Sequence, residues 1–215
     1  MISFLHTFDR ILLWLFVGAF AGHTLVRIVR YFFKFPIPSF LIRLIDNPLR
    51  RKIQSPEKLR EFLSPEPGMR ILEVGPGSGT YTYAVHRALG DAGFLVAVDI
   101  ERRVAASLKA RSDSLGADKV VPLVADVHQP PFPRQTFDAV YMVTVIGEIP
   151  GAEAALQAFY DVLRPGGKLM FSELLLDPDF TMPRRLRRWA QDAGFKYTDQ
   201  RGNMLSYAIL FQRPP

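Results

Sequence analysis

The chain has 215 residues, enough for one domain of ordinary size plus an appendage. Its net charge of +6 is unevenly spread: residues 1–60 hold ten Lys and Arg against three Asp and Glu, and the remainder is nearly neutral. This distribution argues against a nucleic-acid binder, which carries its basic face on the folded domain. The chain has no Cys, which excludes disulfides. Its four His are scattered along the sequence, so we predict no metal site.

The N-terminal segment contains a long apolar run. Residues 11–26 include no charged side chain, and the run reaches Phe33 if Arg27 and Arg30 extend their charges to the membrane surface. Basic residues crowd its C-terminal side, which by the positive-inside tendency faces the cytoplasm. We therefore predict a membrane-associated helix that binds lipids, with the domain that follows it on the cytoplasmic side.

Three other interpretations of this segment remain open. It resembles a signal peptide in carrying Ala19-Phe20-Ala21, a small-residue pattern typical of cleavage sites. It could also be an amphipathic helix packed on its own domain. Finally, the helix could lie in the membrane interface rather than span the bilayer.

A second, shorter helix is predicted between residues 39 and 54, either at the membrane surface or covering one edge of the domain. Its apolar face would consist of Phe40, Leu41, Leu44 and Ile45. Ser55-Pro56 then has the pattern of an N-cap with proline at the first helical position. We accordingly assign residues 1–55 to a membrane-anchoring segment and residues 56–215 to a separate folded domain.

From residue 70 onward, short apolar runs alternate with helical stretches. This order is typical of a doubly wound α/β fold with a mostly parallel sheet, and the last two runs predict an antiparallel hairpin. The predicted strands are 71–74, 94–98, 120–125, 139–143, 169–171, 195–199 and 205–211, and the predicted helices are 81–89, 102–114 and 153–163.

A glycine-rich turn follows the first strand and precedes a helix. A dinucleotide-binding fingerprint, G-x-G-x-x-G, would require glycine at position 80, where the chain has Thr80. The observed pattern is instead Glu73-Val74-Gly75-Pro76-Gly77-Ser78-Gly79. By itself such a loop is also compatible with an ordinary strand-to-helix turn.

Two further carboxylates end the next two strands. Asp99 follows the second strand, where a carboxylate can accept both hydroxyls of a ribose, and Asp126 follows the third. A glycine loop and acids at the ends of three successive strands predict one shared ligand cleft.

The E-x-G-x-G-x-G pattern resembles class I methyltransferases, which are similar to this chain over residues 57–211. Phe137-Asp138-Ala139-Val140 and Leu163-Arg164-Pro165-Gly166-Gly167 also match family segments. The resemblance implies a seven-stranded sheet and S-adenosylmethionine as cofactor, with Asp126 and Val127 at the adenine and Glu73 near the methionine end. The cofactor-binding residues implied are Glu73, Gly75, Gly77, Gly79, Asp99, Ile100, Asp126 and Val127.

The methyl acceptor is expected over the ends of strands four and five, where the family binds it. Candidates there are Thr144, Glu148 and Glu173, with His128 in the preceding loop. We select Glu148 as the catalytic residue, a base or an orienting group. The alternative is a carboxylate that only stabilises a helix start.

The favoured function is methyl transfer to a lipophilic acceptor, since the chain resembles quinone-biosynthesis and phospholipid methyltransferases and carries an apolar, basic appendage. A tethered methyltransferase for a small molecule or protein, and a non-catalytic cofactor-binding assembly protein, are the alternatives. Thr80 disfavours an NAD-dependent enzyme. The oligomeric state is left undetermined.

Overall fold

The computed structural model describes residues 2–32 and 46–215, and it describes side chains for residues 10–30 and 46–215. Its helices are α1 (Ile2–Phe32), α2 (Pro48–Ile53), α3 (Pro56–Leu63), α4 (Thr80–His86), α5 (Arg102–Leu115), α6 (Ala152–Val162) and α7 (Pro183–Asp192). Its strands are β1 (Arg70–Val74), β2 (Phe94–Asp99), β3 (Val120–Val124), β4 (Phe137–Val143), β5 (Leu163–Leu174), β6 (Lys196–Gly202) and β7 (Ser206–Gln212).

The seven strands form one sheet in the order β3-β2-β1-β4-β5-β7-β6. Strands β1 to β5 are parallel, and β7 runs antiparallel to both β5 and β6. The predicted doubly wound sheet and its C-terminal antiparallel hairpin are therefore confirmed. The chain passes from β1 outward through β2 and β3, then returns to β4 on the other side of β1. That reversal creates the switch point at which open α/β sheets bind ligands.

Both faces of the central strands β1, β2 and β4 are buried, which explains their continuous apolar runs. Side chains alternate along each strand, so Leu72 and Val74 point to one face, where Phe159 of α6 and Leu186 of α7 belong to the same core. Ile71 of the same strand belongs to the core on the opposite face, which includes residues of α3, α4 and α5.

Element boundaries differ from the sequence prediction in two informative places. Helix α4 ends at His86 rather than residue 89, because Ala88 and Leu89 bond to carbonyls only three residues back, at 3.0 Å each. Strand β5 is much longer than the predicted 169–171, because pairing with β7 runs from Lys168 to Leu174.

Helix α1 exposes its apolar side chains. Trp14, Phe16 and Phe20 are each more than two-thirds exposed. Residues Arg10–Arg30 are long and apolar enough, by length and composition, to cross a membrane. These exposed side chains do not fit the interpretation of α1 as a helix packed along its own domain. At its end, however, Arg30 is buried.

The helix predicted over residues 39–54 lies largely outside the described residues, including its apolar face. The described part contains α2, which begins after Asn47; the Asn47 side chain accepts a hydrogen bond from the Arg50 backbone at 3.0 Å. The predicted cap at Ser55 is confirmed, with its hydroxyl accepting from the Lys58 backbone at 3.3 Å.

Candidate active site

The glycine loop, residues 75–79, connects β1 to α4. Gly75, Gly77 and Gly79 all have positive φ, at 67°, 54° and 81°. A Cβ on Gly75 would lie 2.5 Å from Cγ2 of Val145. The loop therefore needs glycine both for its backbone conformation and for its close approach to the segment after β4.

A cavity of about 260 Å³ lies at the carboxyl ends of β1, β2 and β4 and beside the loop that follows β3. Seven of the nine predicted site residues line it: Gly75, Gly77, Asp99, Ile100, Asp126, Val127 and Glu148. The structure thus brings together the loop and the strand-end acids that the sequence pattern predicted to share one cleft. A positive-φ glycine cradle beside a carboxylate fits an adenosyl compound that carries an amino-acid chain.

Asp99 ends β2 beside this cavity. One carboxylate oxygen accepts a hydrogen bond from the Glu101 backbone at 2.8 Å. Burial raises the pKa of Asp99 to about 6. The backbone hydrogen bond lowers this pKa, but by less than burial raises it. The carboxylate is therefore ionised at neutral pH and can accept ligand hydroxyls.

Asp126 is exposed and paired with His128. It accepts from the His128 backbone at 2.9 Å and lies 2.8 Å from Nδ1, while Nε2 of the same ring lies 2.7 Å from the Pro150 carbonyl. Because Asp126 stabilises the protonated ring, the pKa of His128 is raised. With both nitrogens facing acceptors, His128 is suited to bridging two loops over the cavity rather than to accepting a proton.

Glu73 and Gly79 do not line the cavity. The Glu73 side chain is buried behind the glycine loop, where it accepts a hydrogen bond from the Thr82 hydroxyl. Burial raises the pKa of Glu73 to about 7. Gly79 caps α4, and a Cβ there would lie 2.6 Å from Leu108. In this structure the two residues shape the loop from behind.

Glu148 lines the cavity beyond the glycine loop, and its side chain is 15% exposed. Its Oε2 lies 3.8 Å from Nη2 of Arg30. Arg30 also forms an ion pair with Asp179, in the loop after β5. Gly147 permits this packing, since a Cβ on it would lie 1.9 Å from the Asp179 carbonyl oxygen.

Of the other two candidates on the acceptor side, only one lines the cavity. Thr144 lines the cavity. Glu173 does not: it is fully buried, accepts from the Thr181 backbone at 2.9 Å, and has a pKa raised well above the usual range by burial. Glu173 therefore braces the loop after β5.

Among the cavity-lining residues that sequence reasoning missed, two lie in the N-terminal segment, Asp46 and Arg50. Both fall within residues 1–55, the segment predicted to anchor the chain. One signal was present: Asp46 is the only acid between Asp9 and Glu57. A lone carboxylate in a basic stretch indicates a specific partner.

Comparison with known proteins agrees with this geometry. Residues 71–167 match the family described as "Methyltransferase domain". A ubiquinone/menaquinone biosynthesis C-methyltransferase (UbiE) of Vibrio campbellii is 32% identical over 119 residues, which is 52% of this chain and 45% of that protein. The chain thus spans about half the length of the curated relatives it matches.

Solved structures share the fold. A SAM-dependent methyltransferase from Aquifex aeolicus aligns with a TM-score of 0.77 at 19% identity, over 83% of this chain and all of the other. The [4+2]-cyclase SpnF aligns with a TM-score of 0.66 at 16% identity, over 75% of this chain and 82% of the other. Residues 71–167 therefore resemble a methyltransferase domain in sequence, and the fold around them is that of a SAM-dependent methyltransferase.

Proposed function

We propose that this protein transfers a methyl group from S-adenosylmethionine to a lipophilic, quinone-like acceptor at a membrane surface. The observation that carries the proposal is the joining of an exposed apolar helix to the acceptor side of the cavity, through Arg30 and Glu148. The similarity to quinone C-methyltransferases over half the chain supports the choice of acceptor class.

The cavity residues take the following roles. Asp126, Val127 and Ile100 surround the adenine, Asp99 accepts the ribose hydroxyls, and Gly75 and Gly77 leave room for the methionine chain. When bound, the cofactor supplies a methyl group on a sulfonium, which an aligned nucleophile displaces directly. The protein therefore contributes mainly alignment and exclusion of water.

Glu148 acts on the methyl acceptor. A phenolic ring carbon becomes nucleophilic when the neighbouring hydroxyl loses its proton, and a carboxylate within hydrogen-bonding reach can accept it or orient that hydroxyl. Arg30 holds this carboxylate from the membrane side. In such a reaction the ring carbon would form a bond to the methyl group as the methyl–sulfur bond breaks with its electron pair on sulfur, and the ring proton would then be lost.

A second cavity, of about 600 Å³, supports a lipophilic acceptor. It lies between the last turns of α1 and the catalytic domain, and Ile149 and Pro150 line both cavities. Its walls include Ile28, Phe180 and Trp189. A ring bound next to Glu148 could extend an apolar tail along this groove toward the bilayer.

Membrane attachment is the second part of the proposal. The apolar side chains of α1 are exposed, and burying them in lipid stabilises the bound state by roughly 25 cal/mol per Å² of apolar surface. Arg27, with the basic residues later in the chain, favours the cytoplasmic side for the catalytic domain.

Incubation of the purified full-length protein with labelled S-adenosylmethionine tests the acceptor class. Parallel reactions receive a membrane lipid extract, a water-soluble metabolite extract or a protein extract. We expect label in a lipid-extract component that gains the mass of one methyl group. Label only in the aqueous or protein reaction would favour the tethered-enzyme alternative.

Vesicle flotation tests the membrane part. Leu15→Asp and Phe16→Asp together place charges in the exposed apolar surface but leave Arg30 in place. We expect the double variant to lose vesicle binding while retaining affinity for S-adenosylhomocysteine. Arg111→Ala, on α5, is the control that should still float; undiminished flotation of the double variant would contradict an anchor in α1.

A further inference from the structure

Arg50 directs a cationic group into the cofactor cavity from α2. Its Nη2 donates to the Thr144 hydroxyl, and its Nε lies 3.4 Å from Oε1 of Gln54. Within residues 46–215, no carboxylate lies at salt-bridge distance from this guanidinium. A half-buried cation whose hydrogen-bond partners are neutral is well placed to accept an anionic ligand group.

The helix that carries Arg50 is fixed to the sheet. Gln54, at its C-terminal end, is buried, and its Nε2 donates to the Ser172 hydroxyl of β5 at 2.8 Å. Tyr81 of α4 donates its hydroxyl to the Gln54 carbonyl at 3.0 Å. Arg50 is thus positioned by β5 and by the helix after the glycine loop, rather than by solvent-exposed contacts.

Thr144, the partner of Arg50, has an unusual backbone. Its φ is 53°, a left-handed conformation that β-branched residues rarely adopt. The conformation is held by a hydrogen bond from its backbone to the Ser172 carbonyl at 2.8 Å. Such conformations concentrate at functional sites, where the surrounding structure maintains them.

Asp46 places the opposite charge on the same cavity. Its carboxylate accepts hydrogen bonds from Ser78 and Thr80 of the glycine loop region, the latter at 2.6 Å, and two from Arg51 at 2.9 Å each. Burial opposes its ionisation, but these hydrogen bonds outweigh burial and lower the pKa of Asp46 to about 2. Asp46 is therefore an anion throughout the physiological range.

We propose that Arg50 and Asp46 bind the amino-acid end of the cofactor, Arg50 through its carboxylate and Asp46 through its ammonium group. S-adenosylmethionine carries a zwitterion at that end, and the two residues offer complementary charges beside Gly75 and Gly77. Both residues lie outside the matched segment 71–167. In this proposal, the cofactor is bound in part by residues that follow α1 in the chain. Cofactor binding therefore involves the sequence next to the helix that is proposed to bind the membrane.

Paired calorimetric titrations test this assignment. S-adenosylhomocysteine has the amino-acid end, and 5′-methylthioadenosine lacks it while keeping adenine and ribose. We expect Arg50→Ala to weaken S-adenosylhomocysteine binding about tenfold or more, and to leave 5′-methylthioadenosine binding within about twofold. Asp46→Asn should show the same selective loss. Lys52→Ala, at an exposed position of α2, should change neither.

Because each variant is titrated with both ligands, a general loss of protein stability would weaken both affinities and can be distinguished from a selective loss. If Arg50→Ala folds poorly, Arg50→Gln keeps a polar, hydrogen-bonding side chain without the positive charge, and the same selective loss is expected. A variant that loses affinity for both ligands equally, or for neither, would overturn the assignment. Wild-type protein that binds both ligands with equal affinity would also overturn it, whatever the methyl acceptor proves to be.

Discussion

Nη2 of Arg30, in the last turn of α1, lies 3.8 Å from Oε2 of Glu148 on the wall of the cofactor cavity. The same guanidinium pairs with Asp179, and the Arg30 and Asp179 side chains are 6% and 3% exposed. The end of an exposed apolar helix is therefore connected to the carboxylate proposed to act on the acceptor. Four predictions concern this connection and the carboxylates around the cavity.

Arg30→Met should destabilise the protein. Asp179 is buried, and removing one partner of a buried ion pair costs roughly 3–5 kcal/mol because the remaining carboxylate loses a compensating positive charge. The free energy of unfolding in detergent, from urea titration, measures the effect. Arg10→Met, at the exposed other end of the apolar stretch, is the matched control, and an equal effect of both changes would contradict the structural role of Arg30.

Glu148→Gln should lower kcat by about 100-fold, the lower end of the contribution of a positioned acid or base. Affinity for S-adenosylhomocysteine should stay within about twofold, because the proposed role concerns the acceptor. Turnover on the active lipid fraction, with calorimetry alongside, measures both quantities. Glu61→Gln, at an exposed position of α3 that lines neither cavity, is the control; full turnover by the Glu148 variant would remove Glu148 from the reaction.

Asp99→Asn should weaken S-adenosylhomocysteine binding about 10- to 100-fold, since charge-assisted hydrogen bonds contribute roughly 1.5–3 kcal/mol. In the wild type, burial raises the pKa of Asp99 to about 6, so affinity should fall as the pH drops through about 6 and the carboxylate gains a proton. Calorimetry between pH 5.5 and pH 8 measures this profile. The Asn variant should lack that fall, and a parallel fall in both proteins would assign it to another group.

Glu73→Gln should become increasingly stabilising, relative to wild type, as the pH rises. Burial raises the pKa of Glu73 from 4.5 to about 7, so the folded protein holds a proton that the unfolded chain releases. The contribution of Glu73 to the wild-type free energy of unfolding is present in full below about pH 4.5. This contribution is lost as the pH rises to about 7. Above about pH 7, the free energy of unfolding of the variant should exceed that of the wild type by about 3 kcal/mol, since one pKa unit corresponds to about 1.36 kcal/mol.

Urea unfolding of both proteins from pH 5 to pH 8.5 measures this difference. The variant keeps an acceptor for the Thr82 hydroxyl, so the hydrogen bond behind the glycine loop is preserved. A difference that is constant with pH would mean that Glu73 is ionised throughout in the folded protein.

The strand ends were the most predictable part of the site. Gly75, Asp99 and Asp126 follow apolar runs, and parallel strands bring their carboxyl ends to one edge of the sheet, so their meeting at one cavity followed from local patterns. Glu73 shows the limit of this reasoning, because the alternation of side chains along β1 turns it away from the cavity into the protein interior.

The sequence by itself determined the fold class, the glycine loop and the long apolar helix, because each depends on residues close together in the chain. Only the tertiary structure decided that Arg30 reaches Asp179 and that Arg50 reaches Thr144. Those pairs are separated by 149 and 94 residues. A cation beside an apolar helix has the same local pattern whether it meets lipid headgroups or a buried carboxylate, and the packing of distant elements chooses between them.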